Sequence, residues 1–415
     1  MDEQGDMSKA YSVRAVRCDH HAGDQDVYEA LKRATDPLDR AWARLRHAKT
    51  IAIKFNQDFL PDKLVMFEGQ RQQLVSDSVA RAVLRLLREQ TSARLLCVDA
   101  SFHTVYDGMT LAQTTHLAHV LREFDVEYVD GHESPVWTDV PGGGWMFDRY
   151  PLSPRLLGID ELVSVQKMKN HGFMGVTLCL KNLFGLMPAM DGGRPRPYYH
   201  HIVRMPYMLP DIGRILDPAL NIVDALVGQA GMEWGDGKGL GRVVDGLIAG
   251  DQVIATDACA AHLMGHDPAA DWLTPPYHRD RNPLLVAAQG GFGTVDLQQI
   301  DFVSDLSPQP QGTFFAELSD PQETVNMWRR TMCEQALFYR DHRRSFDQYT
   351  GEYILLQRGE VRWHDPQGRL TLSRRVLAGG WPGYAMYLKY VDPDEREGEQ
   401  YQRYEQELAK MQSMD

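Results

Sequence analysis

Between Val165 and Gly185 the chain reads Val-Gln-Lys-Met-Lys-Asn-His-Gly-Phe-Met-Gly-Val-Thr-Leu-Cys-Leu-Lys-Asn-Leu-Phe-Gly, which places Lys167, Lys169, His171, Thr177, Lys181 and Asn182 in an otherwise apolar run. Ammonium groups and an imidazole this close repel one another, and drawing them out of water costs still more unless an anion offsets both terms. The segment therefore reads as a clamp for a small anion. The plainer alternative is a solvated basic face, since lysines near a helix start are common.

Read as a site, the clamp has Lys54, Lys167, Lys169 and Lys181 for charge, Asn56 and Asn182 as neutral donors, and Thr177 and Arg194 as further substrate contacts. His171, or one of the pair His200 and His201 that follows Arg194 and Arg196, would move a proton. A lysine among other cations loses its proton more readily, so Lys169 or Lys181 could itself be the base. Fixed donors facing an enolate or similar oxyanion are often the largest catalytic term, removal of one costing about 100- to 1,000-fold. The pattern thus suits an isomerase, a lyase or a cofactor-light oxidation of an anionic, conjugated or aromatic small molecule. Two other classes stay open: a metal-dependent oxidoreductase using scattered His and Asp ligands, and a non-catalytic binding or assembly protein.

Other constellations are weaker. Gly235-Asp-Gly-Lys-Gly-Leu-Gly241 matches neither GxGxxG nor GxxxxGK[ST], so it is no nucleotide fingerprint and reads as a turn or flap. His262 and His266 have metal-ligand spacing, but Gly265 should end the helix between them; His116 and His119 are a fainter pair. Asp99, Asp224 and Asp257 fall at strand ends or early in a helix, where carboxylates orient lysines, act as bases or cap; capping is the reading for Asp257. No GxSxG elbow is present.

The elements that must carry these residues alternate. Strands are expected at Thr50–Phe55, Arg94–Asp99, Val126–Asp130, Glu161–Val165 and Leu220–Asp224, with helices at 74–89, 111–124, 176–184 and 201–216 and a strand-helix unit at 243–264. That order predicts an α/β fold, a layered and mostly parallel sheet with helices on both faces. By the crevice rule, a ligand should sit beyond the carboxyl ends of the strands, where the lysine motif falls. Residues 1–47 read as a loose arm and a helix near 26–46, 48–310 as the main domain, and 311–415 as a helix, a small antiparallel β appendage (352–374) and a charged terminal helix.

Composition narrows the partners. A net charge of -13 over 415 residues argues against general nucleic-acid binding, so basicity is local and suited to a small anion. The five cysteines are far apart and form no CxxC, which excludes a local Fe-S cluster motif; a metal held by scattered residues stays possible. Free thiols, the lack of an apolar stretch long enough to span a membrane, and no signal peptide suggest a cytoplasmic protein with no membrane partner. The terminal segments leave room for a homo-oligomer.

Lys167-Met-Lys-Asn-His171, Val176-Thr177 and Leu180-Lys-Asn-Leu-Phe-Gly185 together resemble the central motif of the domain of unknown function 362 family. Ile53-Lys-Phe-Asn56 is similar to that family's opening Lys-x-Asn strand, and Asn221-Ile-Val-Asp224 and Ala255-Thr-Asp257 to Asp267-Pro268 resemble later blocks. The resemblance covers about residues 48 to 305 and implies an α/β fold without naming a reaction. Many members carry a ferredoxin-like cysteine segment; its absence here weakens the electron-transfer role that the resemblance would imply. In layout the chain is also distantly similar to the nickel-pincer lactate racemase family.

Overall fold

Ile51–Phe55, Leu95–Val98 and Leu162–Val165 are buried along their whole length, which a strand needs when helices cover both of its faces. In the computed structural model, which describes residues 9–60, 63–189, 194–233, 239–318, 320–367 and 387–413, they form the middle of a nine-stranded sheet. In chain order the strands are β1 (Tyr11–Arg17), β2 (Thr50–Phe55), the small pair β3 (Met66–Phe67) and β4 (Gln70–Arg71), β5 (Arg94–Asp99), β6 (Glu127–Asp130), and a second pair, β7 (Val136–Asp139) and β8 (Arg149–Leu152). They continue with β9 (Glu161–His171), β10 (Gly175–Thr177), β11 (Leu220–Gly231), β12 (Gly239–Gly250), β13 (Ile300–Ser304), β14 (Tyr353–Gln357), β15 (Glu360–Asp365) and β16 (Tyr387–Tyr390).

The sheet order is β13-β1-β12-β11-β9-β2-β5-β6, with β10 folded back on β9. β6, β5, β2, β9 and β11 are mutually parallel, and β12 runs against β11 and β1. From β2 the chain proceeds outward to β5 and β6, then returns to place β9 on the other side of β2. The sheet is therefore α/β and doubly wound, with its switch point between β2 and β9. One apolar layer packs the helices Asp24–Thr35, Asp39–His47 and Asp77–Gln90 on one face. The other packs Met205–Leu216, Val253–Leu263 and Pro283–Gln289 and runs on into the helix Gln322–Asp341 and the sheet β15-β14-β16.

Several local readings change, among them the helix expected over 111–124, which is two short helices, Leu111–Thr114 and Ala118–Glu123. The polar N-terminal stretch expected as a loose arm supplies β1, whose Val13 and Ala15 are buried and whose register is fixed on both sides by β12 and β13. The helix expected over 26–46 is two helices parted near Pro37, as a ring without an amide hydrogen requires. β9 continues six residues past the expected end at Val165, so Lys167, Lys169 and His171 lie on a strand rather than a loop. Gly175, at φ +77, turns the chain back against Tyr277, where a Cβ would meet the ring at 2.7 Å. Val176 and Thr177 therefore belong to β10, and only Cys179–Asn182 is α-helical. The glycine-rich stretch 228–241 contributes to the β11–β12 hairpin; 234–238 and the expected strand at 370–374 lie outside the described residues.

The C-terminal sheet is tied in by buried ions. Lys389 Nζ lies 2.5 Å from Glu397, 2.8 Å from Glu395 and 2.9 Å from Glu399. Arg194 pairs with Asp392 and Glu397, Arg204 with Glu399, and Arg329 with Asp280 and Glu407. These contacts fix the segment 194–204, which carries site residues, against the end of the chain.

Candidate functional site

A cleft of about 450 Å³ opens where β2, β5 and β9 end, at the switch point of the sheet. Alternation along β9 turns Lys169 and His171 into it, while Asn170 points away to meet His266 Nε2 at 3.1 Å. β2 contributes Lys54, the following turn Asn56, and β10 Thr177; the short helix Cys179–Asn182 gives Lys181 and Asn182, and a second short helix, Arg196–Tyr199, adds Arg196 and, at its C-terminal end, His200. Asp257, far along the chain, accepts from the amides of Cys179 (2.9 Å) and Leu180 (2.7 Å). It thereby caps the helix that presents Lys181, a neighbour's start rather than its own.

The four lysines of the motif differ. Lys54 donates to Asp99 and to the Phe55 carbonyl, both at 2.8 Å. It fits because residue 185 is glycine: a Cβ there would lie 2.7 Å from Lys54 Cε. Lys167 is fully buried beside Asp224 at 3.1 Å and stands outside the cleft lining. Lys169 donates to the Gln73 carbonyl at 3.1 Å. Its amine is pushed down to about 7, first by burial, with Glu233 opposing and Lys181, Lys54 and Lys167 adding to the fall. Lys181 Nζ sits 4.6 Å from the Phe184 ring centre, and no carboxylate among the described residues is within ion-pair distance of it. Burial pushes it down to about 8, Glu233 opposing and Arg196 and Lys54 contributing.

His171 Nδ1 accepts from the amides of Phe173 (3.0 Å) and Met174 (3.2 Å), so the ring proton sits on Nε2, 3.3 Å from Glu233 Oε1. Burial and the nearby Lys181, Lys169 and Arg279 hold this imidazole neutral, well below the usual histidine range. Glu233 also accepts from the Gly172 amide at 2.8 Å. The base-like group of the pair is thus the carboxylate, oriented by the histidine.

Two other cleft residues bear on ligand binding. The Thr177 hydroxyl is buried and has no hydrogen-bond partner among the described residues. Arg196 donates to the Met187 carbonyl at 3.1 Å and to the Ala100 carbonyl, and burial lowers its pKa. Phe59, Phe102 and Phe184 give the cleft an aromatic side.

Of the residues the sequence singled out, Lys54, Asn56, Lys169, His171, Thr177, Lys181, Asn182 and His200 line this one cleft. Asn182 spends its amide on the Lys54 carbonyl (2.8 Å), Ser164 Oγ (3.1 Å) and the Val165 carbonyl (3.3 Å), which makes it a brace between β2 and β9. His201 is fully buried outside the lining. Arg194 is held by Asp392 and Glu397 and lies over Tyr390 at 3.8 Å, also outside it. Sequence reasoning missed Glu233, Asp58, Gln166, Phe59, Phe102, His103 and Arg196 as lining residues. Only Arg196, next to the histidine pair, had a local signal.

Groupings with metal-ligand spacing among the described residues are His20–His21–Glu68 and Asp19–His20–Asp245, and neither belongs to the cleft. His262 and His266 do not form such a group, and His266 is committed to Asn170. Among the described residues no helix is long and apolar enough to cross a membrane.

The profile of the family described as domain of unknown function (DUF362) matches residues 51–262. The thylakoid-associated protein sll1697 of Synechocystis sp. is 24% identical over 214 residues, 50% of this chain and 63% of that protein, so the match spans less than two thirds of the relative's length. Among solved structures, the lactate racemase apoprotein from Thermoanaerobacterium thermosaccharolyticum is similar at 15% identity and a TM-score of 0.33, over 51% of this chain and 50% of that one. A likeness that slight carries no function with it.

Proposed function

The chain belongs to the domain of unknown function 362 family, and from that premise and the geometry of the cleft we propose that it is an enzyme acting on a small organic anion by acid-base chemistry. The observation that carries this reading is Lys181: a half-buried ammonium facing the cleft, with no carboxylate among the described residues within ion-pair distance. Lys169, Arg196 and the unpartnered Thr177 hydroxyl surround the same space. A carboxylate or phosphate there lowers the repulsion among the cations and gives the hydroxyl an acceptor.

Glu233, oriented by His171, is placed to take a proton from a carbon next to the bound carbonyl or carboxylate group. Lys169 and Lys181 would then stabilise the enolate oxygen, with the aromatic side of the cleft covering the carbon skeleton. Isomerisation and elimination both follow from that intermediate. A volume of about 450 Å³ supports a small-molecule partner.

The test is proton exchange. In deuterated buffer, small 2-oxo and β,γ-unsaturated carboxylates should exchange their activated C–H positions with wild-type protein, as read by proton NMR, and much more slowly with Glu233→Gln. Exchange that is equal in the two proteins, or absent across the series, removes the chemistry assigned to this site.

A further inference from the structure

Lys54 and Lys167 face buried carboxylates, and Lys169 is 1% exposed and bonded to a main-chain carbonyl. Among these motif lysines Lys181 alone is partly open to solvent, and its nitrogen makes no hydrogen bond to any described residue. A lysine that reaches a cleft without a fixed partner keeps its lone pair available once the proton has left. The amine's fall to about 8 means that an appreciable share is neutral near neutral pH.

From this placement we infer that Lys181 forms an imine with the carbonyl carbon of a small 2-oxo acid whose carboxylate lies among Lys54, Lys169 and Arg196. The inference rests on the reading of the cleft as an anion site and names its substrate class. The neutral amine forms an N–C bond while the C=O π pair moves to oxygen, which takes a proton. The nitrogen gives up one of its own protons to Glu233 or solvent, leaving a neutral carbinolamine. Protonation of the hydroxyl then lets the C–O bond break and water leave as the nitrogen pair closes C=N. Amine, carbonyl compound and one proton give iminium and water, with no change of oxidation state. The iminium withdraws electrons from the adjacent carbon, so the proton that Glu233 removes becomes more acidic than in the free oxo acid.

Reductive trapping decides it. The full chain is incubated with pyruvate or phenylpyruvate and sodium cyanoborohydride at pH 7.5, and modified lysines are located by peptide mass mapping. Lys181 should be modified at least about tenfold faster than the exposed Lys49 and Lys63, because the cleft holds the carbonyl carbon beside an amine lowered to about 8. The labelling should saturate with oxo acid, be suppressed by malonate, which binds as an anion but has no ketone, and vanish in Lys181→Arg. Should that variant fail to fold, malonate protection of wild type gives the same answer. Equal labelling of Lys181, Lys49 and Lys63, or labelling concentrated on Lys169, overturns the imine at Lys181. A parallel melting experiment separates the two claims: malonate that stabilises the protein without any trapping leaves the anion site standing and removes the imine. Neither stabilisation nor trapping removes both.

Discussion

Replacing Lys169 by methionine tests the electrostatics of the site through stability alone. Its amine is 1% exposed in effect and pushed from 10.5 to about 7, so the folded protein surrenders a proton that the unfolded chain keeps. At about 1.36 kcal/mol per pH unit of displacement, the full cost of burying it charged is about 5 kcal/mol. The sign follows from proton counts: between 7 and 10.5 the unfolded state binds more protons, so unfolding free energy climbs with pH across that window. The penalty is about 4 kcal/mol at pH 7 and about 2 kcal/mol at pH 9 in wild type. Methionine carries none of it. The lost bond to Gln73 costs about 1 kcal/mol at either pH and cancels in the comparison. Urea unfolding of both proteins at both pH values should therefore show the stability of Lys169→Met relative to wild type falling by about 2 kcal/mol from pH 7 to pH 9. A difference that is the same at both pH values refutes the account of a charge-crowded, desolvated amine.

Three further outcomes follow from the same structure. Asp224→Asn leaves the fully buried Lys167 without its counter-ion and should cost about 3–5 kcal/mol in urea unfolding, whereas a loss under about 1 kcal/mol would mean the pair is solvated. Lys389→Met removes the ammonium shared by Glu395, Glu397 and Glu399, which keep Arg343, Arg194 and Arg204, so it should cost less, about 1–3 kcal/mol, with faster proteolysis of segment 194–204. Gly185→Ala forces Lys54 from its place beside Asp99, so anion affinity should drop about tenfold or more with the fold retained; unchanged affinity would remove Lys54 from the site.

Much of this was legible from residue patterns because the physics is local. Buried parallel strands announce themselves as short apolar runs, and β2, β5 and the first half of β9 lie where such runs occur. The motif's charges were conspicuous for the same reason: few stretches mix lysine with so much apolar surface. β9 was cut short because Lys167, Lys169 and His171 look like loop residues until their partners are known. Asp224 pairs Lys167 from the adjacent strand, and that neighbour comes from sheet order, which spacing does not encode. Glu233 was invisible likewise: it joins His171 only because β11 is twelve residues long and carries the chain back over the cleft. Arg194 and His201 were drawn toward the site by proximity in sequence, yet Arg194 is claimed by acids some 200 residues away.

The claim on which the account stands is that the cleft is completed by an anion. Calorimetric titration of wild type and Lys181→Met with malonate, pyruvate and phosphate at pH 8, each in two buffers of different ionisation enthalpy, measures it directly. An anion settling beside Lys169 and Lys181 raises both amines from about 7 and about 8, so binding to wild type should draw protons from the buffer, and Lys181→Met should bind more weakly with smaller uptake. Binding without proton uptake, or equal binding by the two proteins, would contradict it.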